Sequence, residues 1–176
     1  MSIARYIFLD LETTGLDPER DVITQIAWRW RDEVTNSTMW RNFYVPFTGT
    51  CGVWAARHTL ANHREPNVSS LDTALRSFMH TCLLLGVDGA KVYLVGANPT
   101  FDHSFLTRVM REPPYDYHLI DVEAMAMALG GAHHPPTLRE IRKLLGFEGQ
   151  PLCNHDAAMD AEEVQFVFEA MNRVRL

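Results

Sequence analysis

Cysteine is scarce in this chain, and long hydrophobic stretches are missing from it. The 176 residues include three cysteines, Cys51, Cys82 and Cys153, which are odd in number and widely spaced. We therefore expect neither a disulfide framework nor a zinc knuckle, which fits a reducing cytoplasm. No run approaches the roughly 20 apolar residues of a membrane span. Because Asp10 interrupts the N-terminal apolar run early, we also expect no secretory signal.

The sequence also has no excess of positive charge. Its formal net charge is −6, from 22 acidic and 16 basic side chains. This balance argues against a protein that coats long nucleic acid through a broad basic surface. It does not exclude one that binds a few nucleotides at a metal site, since bound cations reverse the charge of an acidic cleft. With no repeat or low-complexity tract in the sequence, we expect a single domain over residues 1–176.

The first chemical motif lies in residues 6–16. The apolar run from Tyr6 to Leu9 predicts a buried strand, and Asp10 and Glu12 follow it two positions apart. On a strand both carboxylates project from the same face, where a buried pair needs protonation or a cation. Oxygen ligands suit Mg²⁺ or Mn²⁺. The alternative is two solvated acids at a strand end. Gly15 predicts a turn with a backbone conformation that other residues avoid.

The rest of the chain alternates between helical and extended patterns. The predicted strands cover residues 22–31, 39–45, 91–95 and a short segment around 119–120. The predicted helices cover residues 53–62, 71–85, 99–112, 122–129, 138–145 and 156–173. Ser69, Asn98 and Thr137 are the expected N-caps, and Pro99 is expected at the first helical position. Three strands followed by alternating helices and strands predict an α/β fold with a mixed sheet covered by helices.

Two of these helices carry an acid within their apolar stripe. At about 100° per residue, Asp102 lies between Phe105 and Leu106, in line with Val109. Asp160 lies within the inward stripe of the last helix, which consists of Ala157, Ala161, Val164, Val167, Phe168 and Met171. The expected outward residues of that helix are Glu162, Gln165, Glu169 and Arg173.

An ionised carboxylate on a buried face is costly unless it is paired or bound to a metal. A buried arginine or a loop cap is the alternative explanation for one such acid. Together with Asp10 and Glu12, however, Asp102 and Asp160 make a set of four carboxylates, which favours a shared site. We expect His155 in the loop or first turn ahead of the last helix, where it can reach the same site.

The three motifs resemble those of the DnaQ-like exonucleases, in the subgroup defined by four acids and a histidine. The matching segments are Asp10-Leu-Glu12-Thr-Thr-Gly, Asn98-Pro-Thr-Phe-Asp102-His-Ser-Phe-Leu and His155-Asp-Ala-Ala-Met-Asp160-Ala. The resemblance implies an α/β, ribonuclease H-like fold with a five-stranded mixed sheet flanked by helices. The sequence departs from the pattern in two places, with Gly96-Ala97 in place of a histidine before Asn98 and with His58-Thr59-Leu60 in place of His-Gly-Ile.

The resemblance also implies a 3′→5′ exonuclease that releases nucleoside 5′-monophosphates. The four acids would hold two Mg²⁺ or Mn²⁺ ions, and His155 would take a proton from water as general base. Activity should then fall as the pH drops through the pKa of His155, about 6.5 if unperturbed. Residues expected to contact the substrate are Thr13, Thr14, Leu16, Asn98 and Phe101. For Leu16 and Phe101, core packing is an equal alternative.

We expect 3′ ends of nucleic acid as the partner, with single-stranded or frayed DNA favoured. The alternatives are an exoribonuclease that acts on short RNA and a non-catalytic nucleic-acid-binding or polymerase-accessory module of the same fold. The intact acids and His155 argue against the non-catalytic module. The sequence contains no identifiable polymerase-docking segment and leaves the oligomeric state open. Basic side chains that could contact phosphates, or simply be solvated, are Arg108, Arg111, Arg139, Arg142 and Lys143.

Overall fold

The structure is a computed structural model that describes residues 3–32, 35–49, 68–130, 133–147 and 155–173. The helix expected at 53–62, the segment His58-Thr59-Leu60, Cys51 and Cys153 lie outside the described residues. No helix within those ranges combines the length and the apolar character needed to cross a bilayer. Cys82 is a buried free cysteine.

Five strands form one mixed sheet in the order β3-β2-β1-β4-β5. They are β1 (Ala4–Thr13), β2 (Ile23–Arg31), β3 (Thr38–Tyr44), β4 (Lys91–Gly96) and β5 (Asp116–Asp121). The first three strands form an antiparallel meander, whereas β4 pairs parallel to β1 and β5 pairs parallel to β4. The predicted α/β fold with a five-stranded mixed sheet is therefore confirmed, and the arrangement is that of the ribonuclease H-like fold.

The central strand β1 is longer than the sequence pattern suggested and runs through both acids of the first motif. Its pairing with β2 places Asp10 opposite Ala27 and Glu12 opposite Gln25. Its parallel pairing with β4 ends earlier, at Phe8 and Val95. The second half of β1 therefore extends beyond β4, at the carboxyl edge of the parallel strands. This is the edge at which ligands bind in open α/β sheets.

The described helices cover the two faces of the sheet. They are α1 (Leu71–Leu85), α2 (Pro99–Val109), α3 (Val122–Gly130), α4 (Leu138–Leu144) and α5 (Ala157–Arg173). One core layer joins the odd-numbered side chains of β1 to α1 and α2, through Ile7, Leu9, Leu11, Phe78, Phe105 and Leu106. The other joins Phe8 to α3, α4 and α5, through Val122, Ile141, Val164 and Phe168. Because side chains alternate along a strand, Asp10 and Glu12 project toward the α5 side.

Two of the three predicted caps differ from the expectation. The N-cap of α1 is Ser70 rather than Ser69, because its side chain accepts a hydrogen bond from the amide of Thr73. Asn98 is the N-cap residue of α2 as expected, but its backbone is left-handed (φ 52°) and its side chain makes no capping hydrogen bond. Pro99 is at the first turn, also as expected. The third cap is confirmed, since Thr137 forms a capping box with Glu140.

The inward faces of two helices also differ in detail from the predicted stripes. Val109, at the end of α2, is 42% exposed, so it does not continue the stripe of Asp102. On α5 the predicted apolar stripe is buried as expected, but Glu163 and Gln165 are buried with it. Gln165 was expected to point outward. It is buried because α5 packs across both β1 and β2, where the Gln165 side chain meets Arg29 of β2 at 3.1 Å.

Candidate active site

Every site residue predicted from the sequence lines one cavity of about 610 Å³ at the carboxyl edge of the sheet. The acids are Asp10, Glu12, Asp102 and Asp160, with His155 beside them. The cavity is also lined by the predicted substrate contacts Thr13, Thr14, Leu16, Asn98 and Phe101, and by Leu11, Gly15 and Ala97. Residues that are up to 150 positions apart in the sequence therefore face a common space, because β1, α2 and the start of α5 meet there.

Three separate pieces of backbone bring the chemical groups together. Asp10 and Glu12 come from β1, Asp102 comes from the first turn of α2, and Asp160 comes from the first turn of α5. Glu12 and Asp102 are almost fully buried, at 6% and 3% exposure. Asp10 and Asp160 are partly buried, and His155 is exposed ahead of α5 with a left-handed backbone (φ 52°). The predicted position of His155 is confirmed.

The carboxylate of Asp102 is tied directly to β1. Its Oδ1 accepts a hydrogen bond from the backbone amide of Leu11 at 3.0 Å. Burial raises the pKa of Asp102 to about 8, although the amide of Leu11 favours the ionised form, and the charge of Glu12 adds to the increase. Asp102 is therefore both a structural bridge between β1 and α2 and a carboxyl group that binds a proton tightly when no cation is present.

The acids also raise one another's proton affinity. Burial raises the pKa of Asp10 well above its ordinary value, and repulsion from Asp102, Asp160 and Glu12 raises it further. Such a cluster is stable only if some of its members are protonated or if cations neutralise it.

The donor set at this site fits a divalent cation. Glu12, His155 and Asp160 each offer one ligand atom, and these three atoms lie within 4.8 Å of one another. Asp10 and Asp102 lie outside that mutually close group but contribute carboxylates to the same cavity. Carboxylate oxygens supplemented by one imidazole suit Mg²⁺ or Mn²⁺ better than a soft metal.

The start of α5, which carries Asp160, is anchored by side chains that the sequence pattern did not identify. Asp156 caps the helix by accepting hydrogen bonds from the amides of Ala158 (3.0 Å) and Met159 (3.3 Å). The hydroxyl of Tyr44 donates to Asp156 at 2.9 Å. The amide of Ala157 donates to Oε1 of the buried Gln25 at 3.3 Å.

One of these anchors was recognisable in the sequence. An aspartate immediately before a helical pattern is a typical N-cap, so Asp156 could have been found from local sequence. A polar residue within a buried strand is a weaker signal, and it applies to Gln25. Tyr44 carries no signal of this kind. Its role depends on where the end of β3 lies relative to α5, which is a tertiary relationship.

The two threonines of the first motif hold the loop after β1. They are buried, and the hydroxyl of Thr13 donates to the carbonyl of Gly15 at 2.6 Å. The hydroxyl of Thr14 donates to Asp21 at 3.0 Å and accepts a hydrogen bond from the amide of Val22 at 3.0 Å. Both hydroxyls are thus engaged within the loop, and substrate contacts by these threonines stay a prediction.

The two apolar candidates have different environments. Leu16 is 82% exposed at the cavity, so core packing does not account for it. Phe101 is partly buried and packs on Phe105 with ring centroids 5.0 Å apart, so core packing does describe part of its role. Phe101 also lines the cavity.

The basic side chains that the sequence offered as possible phosphate contacts do not line the cavity. None of the five basic candidates is among the described residues that line the cavity. Arg108 pairs with Glu19 at 3.3 Å, with both side chains exposed. Arg142 pairs with the fully buried Glu163 at 3.0 Å and lies over the ring of Phe166. For Arg142, a structural ion pair replaces the expected phosphate or solvent contact.

The chain is similar to Ribonuclease T from Marinobacter nauticus. The two sequences are 26% identical over 187 residues, covering 92% of this chain and 79% of the relative. This similarity supports the assignment to the DnaQ-like, ribonuclease H-like superfamily that the three motifs predict. The sheet topology agrees with the same assignment. No protein-family model matches the chain.

Proposed function

We propose that the protein is a metal-dependent 3′→5′ exonuclease of the subgroup with four acids and a histidine, and that the whole chain forms one exonuclease domain. The observation that carries this proposal is the meeting of Asp10, Glu12, Asp102, Asp160 and His155 in one cavity. The similarity to a protein named Ribonuclease T supports nucleic acid as the substrate. The reaction is hydrolysis of the terminal phosphodiester bond, which releases a nucleoside 5′-monophosphate.

The four acids would hold two Mg²⁺ or Mn²⁺ ions. When bound, such ions supply Lewis-acid stabilisation of phosphate oxygens and lower the pKa of coordinated water. The carboxylates must lose their protons to serve as ligands, and the raised pKa values of Asp10 and Asp102 make this a proton-releasing step. The hydrogen bond from the amide of Leu11 orients the Asp102 carboxylate, which would serve as one of the ligands.

His155 is the proposed general base, which takes the proton of the attacking water. Its exposed position ahead of α5 leaves the imidazole accessible to water and to the 3′ end of a substrate. The same ring also lies close enough to Glu12 and Asp160 to be a ligand. Both roles require the neutral imidazole, so activity should fall at low pH in either case.

The substrate is proposed to enter with its terminal nucleotide in the cavity, between Leu16 and Phe101. A volume of about 610 Å³ falls within the range of about 300–1,000 Å³ usual for sites of small ligands. It suits one terminal nucleotide better than a paired end. Stacking on an aromatic ring tolerates any base, so a non-specific 3′ end is expected at this position.

Single-stranded or frayed DNA is the first proposed substrate. RNA is the second, and the name of the relative, Ribonuclease T, is the observation that favours it. Contacts to the 2′-hydroxyl group would separate the two. A direct comparison of both polymers is therefore part of the test.

The test uses 5′-labelled single- and double-stranded DNA and RNA, incubated with Mn²⁺ or with a chelator. The expected result is a ladder that shortens from the 3′ end with Mn²⁺ and is absent with the chelator. Asp160→Asn should abolish it. Asp72→Asn, which alters an exposed acid of α1 that pairs with Arg76, should leave it unchanged.

Two outcomes would contradict the proposal. Binding of labelled strands without shortening would instead identify a non-catalytic nucleic-acid-binding module of the same fold. Shortening that persists in Asp160→Asn would place the activity at another site or in a contaminant.

A further inference from the structure

The carboxylate of Asp21, which lies outside the acid cluster, bridges two parts of the loop between β1 and β2. Oδ1 of Asp21 accepts a hydrogen bond from the hydroxyl of Thr14 at 3.0 Å, and Oδ2 accepts one from the amide of Asp17 at 2.9 Å. The amide of Thr14 also donates to the carbonyl of Val22 at 3.0 Å. Asp21 therefore connects both ends of segment 14–17, the segment that carries Leu16.

Gly15 lies directly against this carboxylate. A Cβ atom added at position 15 would lie 2.5 Å from Oδ2 of Asp21, which is closer than real Cβ contacts allow. The glycines with a left-handed φ among the described residues are Gly49, Gly89 and Gly146, and Gly15 is not one of them. The prediction that Gly15 adopts a backbone conformation that other residues avoid is thus wrong. Glycine is suited to this position because it lets the Asp21 carboxylate approach the backbone.

The segment that Asp21 holds forms one wall of the cavity. Thr13, Thr14, Gly15 and Leu16 all line it, and Leu16 presents an apolar side chain that is 82% exposed. Held in one conformation, this wall can meet an incoming nucleotide without first being ordered. Preorganisation of this kind improves affinity by lowering the entropic cost of binding.

We infer that Asp21 is a positioning residue that holds Leu16 and its neighbours in the arrangement that binds the terminal nucleotide. This inference rests on the proposed exonuclease function and assigns to it a residue outside the three motifs. Asp21 is not among the described residues that line the cavity, so it acts through the segment it holds. The acids are placed independently, by β1, α2 and α5.

Because the acids are placed independently of Asp21, loss of Asp21 should affect substrate binding more than the chemical step. The measurement is steady-state degradation of a labelled single strand, on the polymer that the wild-type protein degrades fastest. Asp21→Ala removes both acceptor oxygens and should raise KM about ten-fold, while kcat stays within about two-fold of wild type. Asp21→Asn should be intermediate, since its remaining oxygen can accept from Thr14 but its amide group cannot accept from Asp17.

Leu16→Ala should also raise KM, because it removes the apolar surface that segment 14–17 presents to the cavity. The matched control is Glu19→Ala, which removes an acid from the same loop. Glu19 makes an exposed ion pair with Arg108, and such pairs contribute little. The KM and kcat of Glu19→Ala should stay near the wild-type values.

A double-mutant comparison separates this role from general loop damage. Gly15→Ala in the wild-type background should raise KM about as much as Asp21→Ala, because the new Cβ displaces the carboxylate. In the Asp21→Ala background the obstacle is gone, so Gly15→Ala should add less than about two-fold. Independent, multiplicative effects of the two substitutions would overturn the inference.

The other possible results separate a failure of the Asp21 role from a failure of the exonuclease proposal. An active wild-type protein with an unchanged KM in Asp21→Ala and Asp21→Asn would overturn the role of Asp21 and leave the exonuclease proposal intact. An equal fall of kcat and kcat/KM in those variants would also contradict positioning of the substrate. If the wild-type protein shortens no nucleic acid, both proposals fail together.

Discussion

The backbone amide of Leu11 and the carboxylate of Asp102 are joined by a 3.0 Å hydrogen bond across the edge of the sheet. The bond forms where β1 extends past its pairing with β4, which ends at Phe8 and Val95. The carboxylate thus takes the place of a neighbouring strand as acceptor for this buried amide. The same interaction lies beside Glu12 in the cavity, so one contact links the packing of α2 on β1 to the acid cluster.

The proton affinity of Asp102 predicts how the stability of the metal-free protein depends on pH. Its pKa is raised from 3.8 to about 8 in the folded protein. Between these values the folded state binds more protons than the unfolded state, so the free energy of unfolding should fall as the pH rises through that window. The largest slope from one proton is about 1.4 kcal/mol per pH unit. Denaturant unfolding in a chelator, from pH 4.5 to 8.5, measures it.

Asp102→Asn is the matching variant, because its side-chain oxygen can still accept the bond from Leu11 while it no longer ionises. It should flatten the fall in stability and leave the metal-free protein more stable than wild type at pH 8. The control, Asp72→Asn, should retain the wild-type slope. A stability that is the same at pH 5 and pH 8 in the wild-type protein would contradict the expectation.

Divalent cations should stabilise the protein, and more strongly at high pH. Binding requires ionised carboxylates, so protons compete with the metal over the range in which Asp10 and Asp102 titrate. The increase in Tm on addition of Mn²⁺ should be larger at pH 8 than at pH 6. It should be reduced in Asp160→Asn, and K⁺ at equal ionic strength should not reproduce it. An equal increase in Asp160→Asn would indicate a metal site elsewhere.

Tyr44→Phe should loosen the start of α5. The substitution removes the hydroxyl that donates to Asp156 at 2.9 Å, and one hydrogen bond contributes about 0.5–1.5 kcal/mol. We expect a loss of about 1 kcal/mol in unfolding free energy and a lower kcat, because the same turn carries His155 and Asp160. Tyr117→Phe, at a side-chain position 78% exposed, is the control and should change neither quantity. Unchanged stability in Tyr44→Phe would show that the hydroxyl bond contributes nothing.

The buried ion pair between α4 and α5 predicts a purely structural effect. Glu163 is fully buried and accepts two hydrogen bonds from Arg142, at 3.0 and 3.1 Å. Breaking one side of such a pair costs about 3–5 kcal/mol, because the other charge is left buried. Glu163→Gln should therefore lower the unfolding free energy by about 3 kcal/mol.

Replacement of both partners should recover much of that loss. Arg142→Met combined with Glu163→Met removes both charges and keeps apolar volume. Neither variant should change kcat for the folded protein, since the pair lies away from the cavity. A Glu163→Gln protein as stable as wild type would show that the pair is not as tightly buried as the geometry indicates.

Local sequence patterns were sufficient for most of the elements and for the chemical groups. The strands and helices were predicted because apolar residues repeat at strand or helix periods, and the acids stood out because they interrupt those repeats. Errors occurred where a helix end or a second packing partner changed the environment. Val109 is exposed at the end of α2, and Gln165 is buried because α5 also covers β2.

The sequence by itself determined the element order, the mixed sheet and the acids that interrupt the apolar patterns, since each depends on periodicity or short-range spacing. The resemblance of the three motifs implied the other residues of the site. Only the tertiary structure decided how those residues are held. Three sets of contacts join residues far apart in the chain: the hydrogen bond from the Leu11 amide to Asp102, the anchoring of α5 by Gln25 and Tyr44, and the Arg142–Glu163 pair. The approach of Asp21 to Gly15 depends likewise on the path of a loop between strands. Such contacts follow from the packing of helices and loops against the sheet, which no local pattern encodes.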